Sequence, residues 1–423
     1  MHHVFQWLDD WPVQCAYLTD TGSIYCATGR RPAVSLSRLA LTAKSVRALV
    51  EAWLVTPRAI ACLVPPLPDG ADPIGLPGPG LLVTFQRLGL LQKRVTCLYF
   101  TKDRLRRLWD FVNQVDARWS AAGVSVPCVV TLACYGRFLH AAIAGWEECE
   151  CDKVFRALSS RCCMTQLAER VLRGTAGAAP QDEVNLRLFY RLVLLDPCRT
   201  ARDRQLWTER ILAGHSVHRQ ARLLYLLYGP RTHKELLWEE TTDSIPHGAH
   251  QAAQHFAELA AALTRLATAP GWSGAALADL LEHLVAAPAP WLAENVACLL
   301  LLAGEQVAVP LLAAQARAGR TGQVARLLGA LCIMTHKFRR SQHWVLTVVR
   351  QLCQEIGSAR DRGGLVRAIW DAFTCQIMDL WDLLRSHEDP DLIEEDIRLL
   401  VSAHAEFGKV VMCRALVSDG LQC

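Results

Sequence analysis

The chain has 423 residues, of which 52% are hydrophobic and 20% are charged, and its formal net charge at pH 7 is +4. This apolar content excludes a mostly disordered chain, and so small a net charge gives no indication of a nucleic-acid or membrane surface. The 17 cysteines are odd in number and scattered, and no secretory signal pattern opens the sequence. We therefore expect reduced thiols in a protein of the nucleus or cytoplasm, neither secreted nor membrane-spanning.

Residues 1–33 have no clear hydrophobic period and are predicted to be irregular. Residues 34–64 form the next predicted region, which opens with the stretch VSLSRLALTAKSVRALVEAWL. Apolar side chains recur in this stretch at spacings of three and four residues, which is typical of one face of helical structure. From periodicity alone this face is predicted to point into a core. Its members are Leu36, Leu39, Ala43, Val46, Val50 and Trp53.

Residues 65–80 are predicted to be a linker. The stretch PPLPDGADPIGLPGPG contains six prolines and four glycines, a composition that continues neither a helix nor a strand. A short helical region separated from a large body by such a tether is typical of a separately docking module. A partner-binding role for residues 34–64 therefore stands beside the core interpretation.

Residues 81–423 are predicted to be helical throughout, with helices of ~12–20 residues joined by turns that contain glycine or proline. No repeat of fixed length is found, which favours an irregular helical-repeat, α-solenoid-like body in an all-α fold. The clearest predicted helices are Thr101–Val115, Glu183–Leu195, Gln220–Tyr228, His250–Ala267, Gly274–Ala286, Trp291–Ala303, Thr321–Met334, His343–Ile356, Gly364–Leu384 and Leu392–Phe407.

The sequence contains no phosphate-binding loop, dinucleotide-binding motif, zinc-protease motif, hydrolase elbow or kinase signature. The nearest metal candidate is the group Cys149, Cys151, Cys162 and Cys163. Its C-x-C and C-C spacings differ from the C-x2-4-C pairs of zinc sites, so thiols on a helix are the favoured interpretation. We predict no cofactor and no metal, and a binding or scaffold protein rather than an enzyme.

The stretch LSRLALTAKSV resembles the second half of an F-box, with Leu36, Leu39, Lys44 and Val46 at matching positions and Ala43 where the motif prefers serine. The resemblance to one member of the F-box family extends from Leu36 to Phe407. It rests on the blocks RLGLLQKRVTCLYFTKDRL, LACYGRFLHAAIAGWEECEC, LRLFYRLVLLD, QARLLYLLYGP and WLAENVACLLLLAG.

The resemblance implies a non-catalytic substrate receptor of a ubiquitin ligase. F-box proteins bind the adaptor Skp1, which joins them to a cullin-1 and RING core, while the rest of the chain holds a protein substrate. Relatives of this kind act in meiotic germ cells, which implies a nuclear setting. The implied Skp1-facing residues are Leu36, Leu39, Val46, Val50 and Trp53, and no direct contact with nucleic acid or membrane is implied.

An F-box normally opens with a leucine-proline pair and a first helix, and residues 1–33 contain neither pattern. The loss of one anchoring helix from an ordinary interface removes about 4 kcal/mol, or roughly a thousandfold in affinity. We therefore expect weak or absent Skp1 binding by this chain, and good binding where a first helix is supplied upstream. A ligase-independent helical scaffold in meiotic nuclei is the main alternative, and an enzyme within the helical body is a second one.

Overall fold

The structure, a computed structural model, describes residues 17–18, 24–25, 32–41, 44–66, 75–124, 126–232, 234–356, 358–385 and 390–418. Apart from two short strands these residues are helices and their connections, so the predicted all-α class is confirmed. The strands β1 (Tyr17–Leu18) and β2 (Ile24–Tyr25) pair antiparallel within the segment predicted to be irregular. The other residues of 1–31 lie outside the described part of the chain.

The helices divide into three groups along the chain. The first contains α1 (Pro32–Leu39), α2 (Lys44–Leu54) and α3 (Pro57–Leu63). The second contains α4 (Pro79–Val95), α5 (Thr101–Ala121), α6 (Val129–Ala142), α7 (Glu148–Arg161), α8 (Met164–Arg173), α9 (Pro180–Phe189), a π-helical segment (Tyr190–Leu195) and α10 (Ala201–Leu212). The third contains α11 (Val217–Tyr228), α12 (Glu240–Asp243), α13 (Ala249–Ala267), α14 (Gly274–Val285), α15 (Ala293–Ala303), α16 (Glu305–Arg317), α17 (Thr321–Lys337), α18 (His343–Glu355), α19 (Ala359–Arg385) and α20 (Pro390–Ser418).

The chain forms two compact units. Unit 1 contains residues 1–168 and 185–210, and unit 2 contains residues 169–184 and 211–423. Within the predicted linker, the described residues 65–66 and 75–78 have no regular structure, and α4 begins at Pro79. The predicted domain boundaries at residues 34, 65 and 81 stay predictions.

The amphipathic stretch at the start of unit 1 is two helices rather than one continuous segment. Helix α1 ends at Leu39 and α2 begins at Lys44, although the apolar period runs through the break. The Nε of Arg47 donates to the carbonyl oxygen of Ala40 at 3.2 Å and so satisfies a carbonyl of the turn. Both helices bury their apolar face, which explains why one period describes both of them.

The core of unit 1 is built on the close packing of α4 against α6. Gly89 allows this approach, and Gly136 allows α6 to approach the π-helical segment, since a Cβ atom at either position would overlap a backbone carbonyl of the neighbouring segment. Phe85 of α4 and Trp119 of α5 face each other with ring centroids 5.4 Å apart, and Tyr135 of α6 completes the cluster. Helix α1 also packs on α4, and α6 packs on the π-helical segment.

Unit 2 is a stack of helices in two layers. In one layer α13 packs on α15, α15 on α17 and α17 on α19; in the other, α11 packs on α14, α14 on α16 and α16 on α18. The helices of the first layer begin at residues 249, 293, 321 and 359, at unequal intervals. This arrangement is an irregular helical repeat, and the predicted helical-repeat body is confirmed. Among the described residues, no helix is both long enough and apolar enough to span a membrane.

Candidate partner-binding site

The residues predicted to face Skp1 lie on α1 and α2 of unit 1. Leu36, Val50 and Trp53 are buried against α3, α4 and each other, with Leu36 and Val50 fully shielded from solvent. The side chains of Leu39 and Val46 lie outside the described part of the chain. The structure therefore places three of the five residues in the core, where a partner reaches them only after a rearrangement. Their partner-binding role stays a prediction.

A buried carboxylate fixes α2 to α5. Glu51 lies 2.8 Å from the Nε of Arg107 and also accepts a hydrogen bond from the hydroxyl of Tyr99. Donation of that hydrogen bond to Glu51 raises the pKa of Tyr99, and burial and the carboxylate charge add to the effect. Loss of Arg107, whose side chain is partly exposed, would leave the buried Glu51 carboxylate without its counter-charge, which is costly. The N-terminal helices are thus joined to the rest of unit 1 by charge as well as by apolar packing.

The turn between α1 and α2 carries an exposed apolar side chain that sequence reasoning missed. Leu41 is 55% exposed and is the largest exposed hydrophobic residue described on residues 32–63. Helix α2, which follows this turn, also exposes the small side chains of Ala48 and Ala52. The sequence did contain a signal, because Leu41 is apolar but does not lie on the apolar face that the spacing defines. An apolar residue outside the buried face is a candidate for contact with a partner.

A surface groove runs between α5 and α7 in unit 1, with a volume of about 790 Å³. Its apolar wall is formed by Phe100, Leu105 and Trp109, and Phe100 is 85% exposed. Arg161 lies over the Trp109 ring at 5.2 Å and donates to Asn113 at 2.6 Å. The charged side chains that line the groove are Lys102, Arg106, Lys153, Arg161 and Asp110, so cations predominate.

A second cavity, of about 450 Å³, lies in unit 1 between α6 and α10 and holds His140. The imidazole ring is hydrogen bonded to the backbone of Val193 and Leu194 in the π-helical segment. Burial lowers the pKa of His140 from 6.5 to about 4, so the ring is neutral at pH 7. Its Nε2 atom and the indole nitrogen of Trp146 are buried without a hydrogen-bond partner in the described part of the chain.

The cavity is not tuned for covalent catalysis. Burial raises the pKa of Cys151 in its wall, so this thiol is protonated near neutral pH and is a poor nucleophile. The depressed pKa of His140 makes the imidazole a weak base at the same pH. Both groups fit a binding wall better than a nucleophile–base pair.

His140 makes the stability of unit 1 depend on pH. Between pH 6.5 and 4 the unfolded chain binds a proton on this residue that the folded chain does not, so the free energy of unfolding falls as the pH falls. The loss from this group reaches about 3 kcal/mol at most. We expect His140→Gln, measured by urea unfolding from pH 7.5 to 4, to lose less stability on acidification than the unsubstituted chain. Equal losses in the two proteins would contradict this assignment.

The cysteine group considered for zinc is spread along and beyond α7. Cys149 and Cys163 are exposed, Cys162 is half-buried and Cys151 is buried. Among the described residues, no cluster of three or more histidine, cysteine, aspartate or glutamate side chains is placed to hold a metal ion.

The chain is similar to known proteins over most of its length. A family model described as FBXO47, ARM repeats matches residues 163–389, which form most of unit 2 and part of unit 1. F-box only protein 47 of Mus musculus is 31% identical over 342 residues, which cover 78% of this chain and 74% of that protein. F-box only protein 47 of Homo sapiens is 31% identical over 346 residues, with the same coverage of each chain. No solved structure matches the chain. The extent of these similarities, together with the helical-repeat body that they cover, shows that the chain belongs to the F-box only protein 47 family.

Proposed function

We propose that this protein is a non-catalytic substrate-recognition subunit of a Skp1–cullin–F-box ubiquitin ligase, acting in meiotic germ cells. The observation that carries the proposal is membership of the F-box only protein 47 family. In this role the N-terminal helices contact Skp1, and through Skp1 the cullin-1 and RING core. The helical body binds a protein substrate, and the receptor itself makes and breaks no covalent bond.

The α5–α7 groove supports the receptor role by its chemistry. An apolar wall with an exposed phenylalanine provides an anchor, and four cationic side chains against one carboxylate favour a negatively charged partner. The substrate segment proposed for this groove is therefore an acidic peptide with an apolar residue at its centre. The protonated thiol of Cys151 and the weakly basic His140 support the non-catalytic part of the proposal.

Exposed Leu41 is the residue proposed to contact Skp1 in the observed arrangement of α1 and α2. An aspartate at this position puts a charge into the centre of the contact, so we expect Leu41→Asp to weaken Skp1 binding at least tenfold. Binding is measured by calorimetric titration of the full chain with purified Skp1. The matched control is Leu98→Asp, which also replaces an exposed leucine of unit 1 but lies outside the N-terminal helices. Equal weakening by both variants, or by neither, would contradict the proposed contact.

A second candidate function is favoured by the burial of Leu36, Val50 and Trp53. A chain that uses these three residues of its F-box-like stripe in its own core serves as a ligase-independent scaffold for protein–protein interactions in meiotic nuclei. The two functions are distinguished by affinity purification of the full chain and of Leu41→Asp from germ-cell extract. The scaffold role predicts the same partners for both proteins and no Skp1 with either.

A further inference from the structure

Helix α19, in the last part of unit 2, carries an apolar stripe on its outer face. Val366, Trp370, Met378 and Trp381 are between 52% and 61% exposed. They are separated by four, eight and three residues, which places all four on one side of an α-helix. The adjacent side of α19 is buried against α17 and α20 through Leu365, Ile369 and Phe373. The stripe is thus a second apolar face on a helix whose first apolar face is already covered.

The stripe is large enough for a specific contact. Two half-exposed tryptophans, a valine and a methionine together expose on the order of 500 Å² of side-chain surface, as large as the largest apolar patch on an ordinary monomer. A partner that contributes an equal area buries about 1,000 Å² in total, the lower limit for a specific interface. Trp370 is held in place by a ring contact with His404 of α20, with centroids 4.9 Å apart.

The exposed charges of α19 are divided along the helix. Before Thr374 the helix exposes three arginines and two aspartates, and after Thr374 it exposes two aspartates: Arg360, Arg362, Arg367, Asp361 and Asp371, then Asp379 and Asp382. The helix dipole favours the reverse order, with anions near the N-terminus and cations near the C-terminus. Within the described part of the chain, none of these arginines and aspartates forms a salt bridge. The stability of the isolated helix therefore does not account for this division of charge.

We propose that the α19 stripe binds the α19 stripe of a second copy of this chain, with the two helices antiparallel about a two-fold axis. In that orientation the basic half of each helix faces the acidic half of the other, whereas a parallel pair would bring like charges together.

The stripe is also close to symmetric about Thr374. Trp370 and Met378 lie four residues on either side of it, and Arg367 and Trp381 lie seven residues on either side. A two-fold axis at Thr374 brings each Trp370 to the other copy's Met378, a favourable sulfur–aromatic contact. The same axis brings each Arg367 over the other copy's Trp381, a favourable cation–π contact.

The first test is the mass of the full chain in solution, measured by sedimentation velocity over a concentration series. We expect a dimer at micromolar concentration, and at least a hundredfold weaker dimerisation for the double variant Trp370→Glu/Trp381→Glu. The control is Phe100→Glu, which changes an even more exposed aromatic residue of unit 1 and should leave the dimer intact. Thermal melts of the variants confirm that each one is folded. A monomer at every concentration, or a dimer that survives the double variant, would overturn the proposal.

The second test uses the division of charge. The variant Arg360→Asp/Arg367→Asp makes the exposed charge of α19 acidic on both sides of Thr374, and Asp379→Arg/Asp382→Arg makes it basic on both sides. Each variant alone should dimerise at least tenfold more weakly than the unsubstituted chain, because like charges meet. An equimolar mixture of the two should form a heterodimer at least as tight as the original dimer. A mixture that does not associate would show that the antiparallel arrangement is wrong and would overturn the proposal.

Discussion

Replacement of Glu183 by alanine is expected to lower the free energy of unfolding of unit 2 by about 3–5 kcal/mol. Glu183 is only 1% exposed, yet its carboxylate has three partners. It accepts hydrogen bonds from the backbone nitrogen of Gly177 and from the indole nitrogen of Trp238, each at 2.9 Å, and it lies 3.4 Å from Arg222. Arg222 is itself buried and donates to the carbonyl oxygens of Gly174 and Thr175.

The size of the effect follows from the partners that are left behind. Without the carboxylate, the buried indole N–H of Trp238 and the partly buried N–H of Gly177 lose their acceptor, and the buried Arg222 guanidinium keeps two carbonyl acceptors but loses its only counter-charge in this network. The free energy of unfolding is measured by urea unfolding of the full chain, with a probe in unit 2 reporting the transition. Glu169→Ala is the matched control, because Glu169 pairs with Arg173 and Arg219 in the same unit but is partly exposed. The control should cost about 1 kcal/mol or less. A similar cost for both variants would contradict the account of the buried network.

Replacement of Gly136 by alanine is expected to destabilise unit 1 by about 3 kcal/mol or more. A Cβ atom at this position would lie 2.0 Å from the carbonyl oxygen of Leu192 and 2.8 Å from the Cγ of Pro197. Neither neighbour is the flexible end of a side chain, so α6 and the π-helical segment must separate to make room. That separation also disturbs the backbone groups that hold the ring of His140.

Gly80→Ala serves as the control for this substitution. Gly80 lies in α4 of the same unit, and a Cβ atom there would have no neighbour within 4 Å. Alanine at such a helical position reduces the freedom of the unfolded chain, so a gain of about 0.4–1 kcal/mol is expected. Both variants are compared by thermal melting of the full chain. A Gly136→Ala protein that melts at the same temperature as the unsubstituted chain would show that α6 is not tightly packed at this position.

Helices whose apolar period arises from local packing could be predicted from the sequence. The prediction of His250–Ala267 corresponds to α13, and that of Gly274–Ala286 corresponds to α14, each within one residue at either end. The spacing of apolar residues identifies the face of a helix that is buried, and short turns restrict which helices can pack together. The break between α1 and α2 was not predicted, because both helices bury their apolar face and the period continues through the turn.

The contacts that define the candidate site could not be predicted in the same way. Glu51 and Arg107, like Glu183 and Arg222, are paired across long separations in sequence, and neither pair leaves a local pattern. Periodicity also does not tell what covers an apolar face. The stripe of residues 34–54 fits a core and a docking surface equally well, and the structure places Leu36, Val50 and Trp53 in the core.

The central claim is that this chain joins the ligase core through Skp1, and the binding of Skp1 to residues 1–423 tests it most directly. Residues 1–33 contain neither the leucine-proline pair nor the sequence pattern of an F-box first helix, and we expect Skp1 binding roughly a thousandfold weaker than nanomolar, with a dissociation constant in the micromolar range or above. Titration of the full chain with Skp1, beside Leu41→Asp and Leu98→Asp, gives the answer in one experiment. Micromolar binding that is lost only in Leu41→Asp supports the claim. No binding at concentrations approaching about 1 mM would contradict it and leave the scaffold role as the function of the chain.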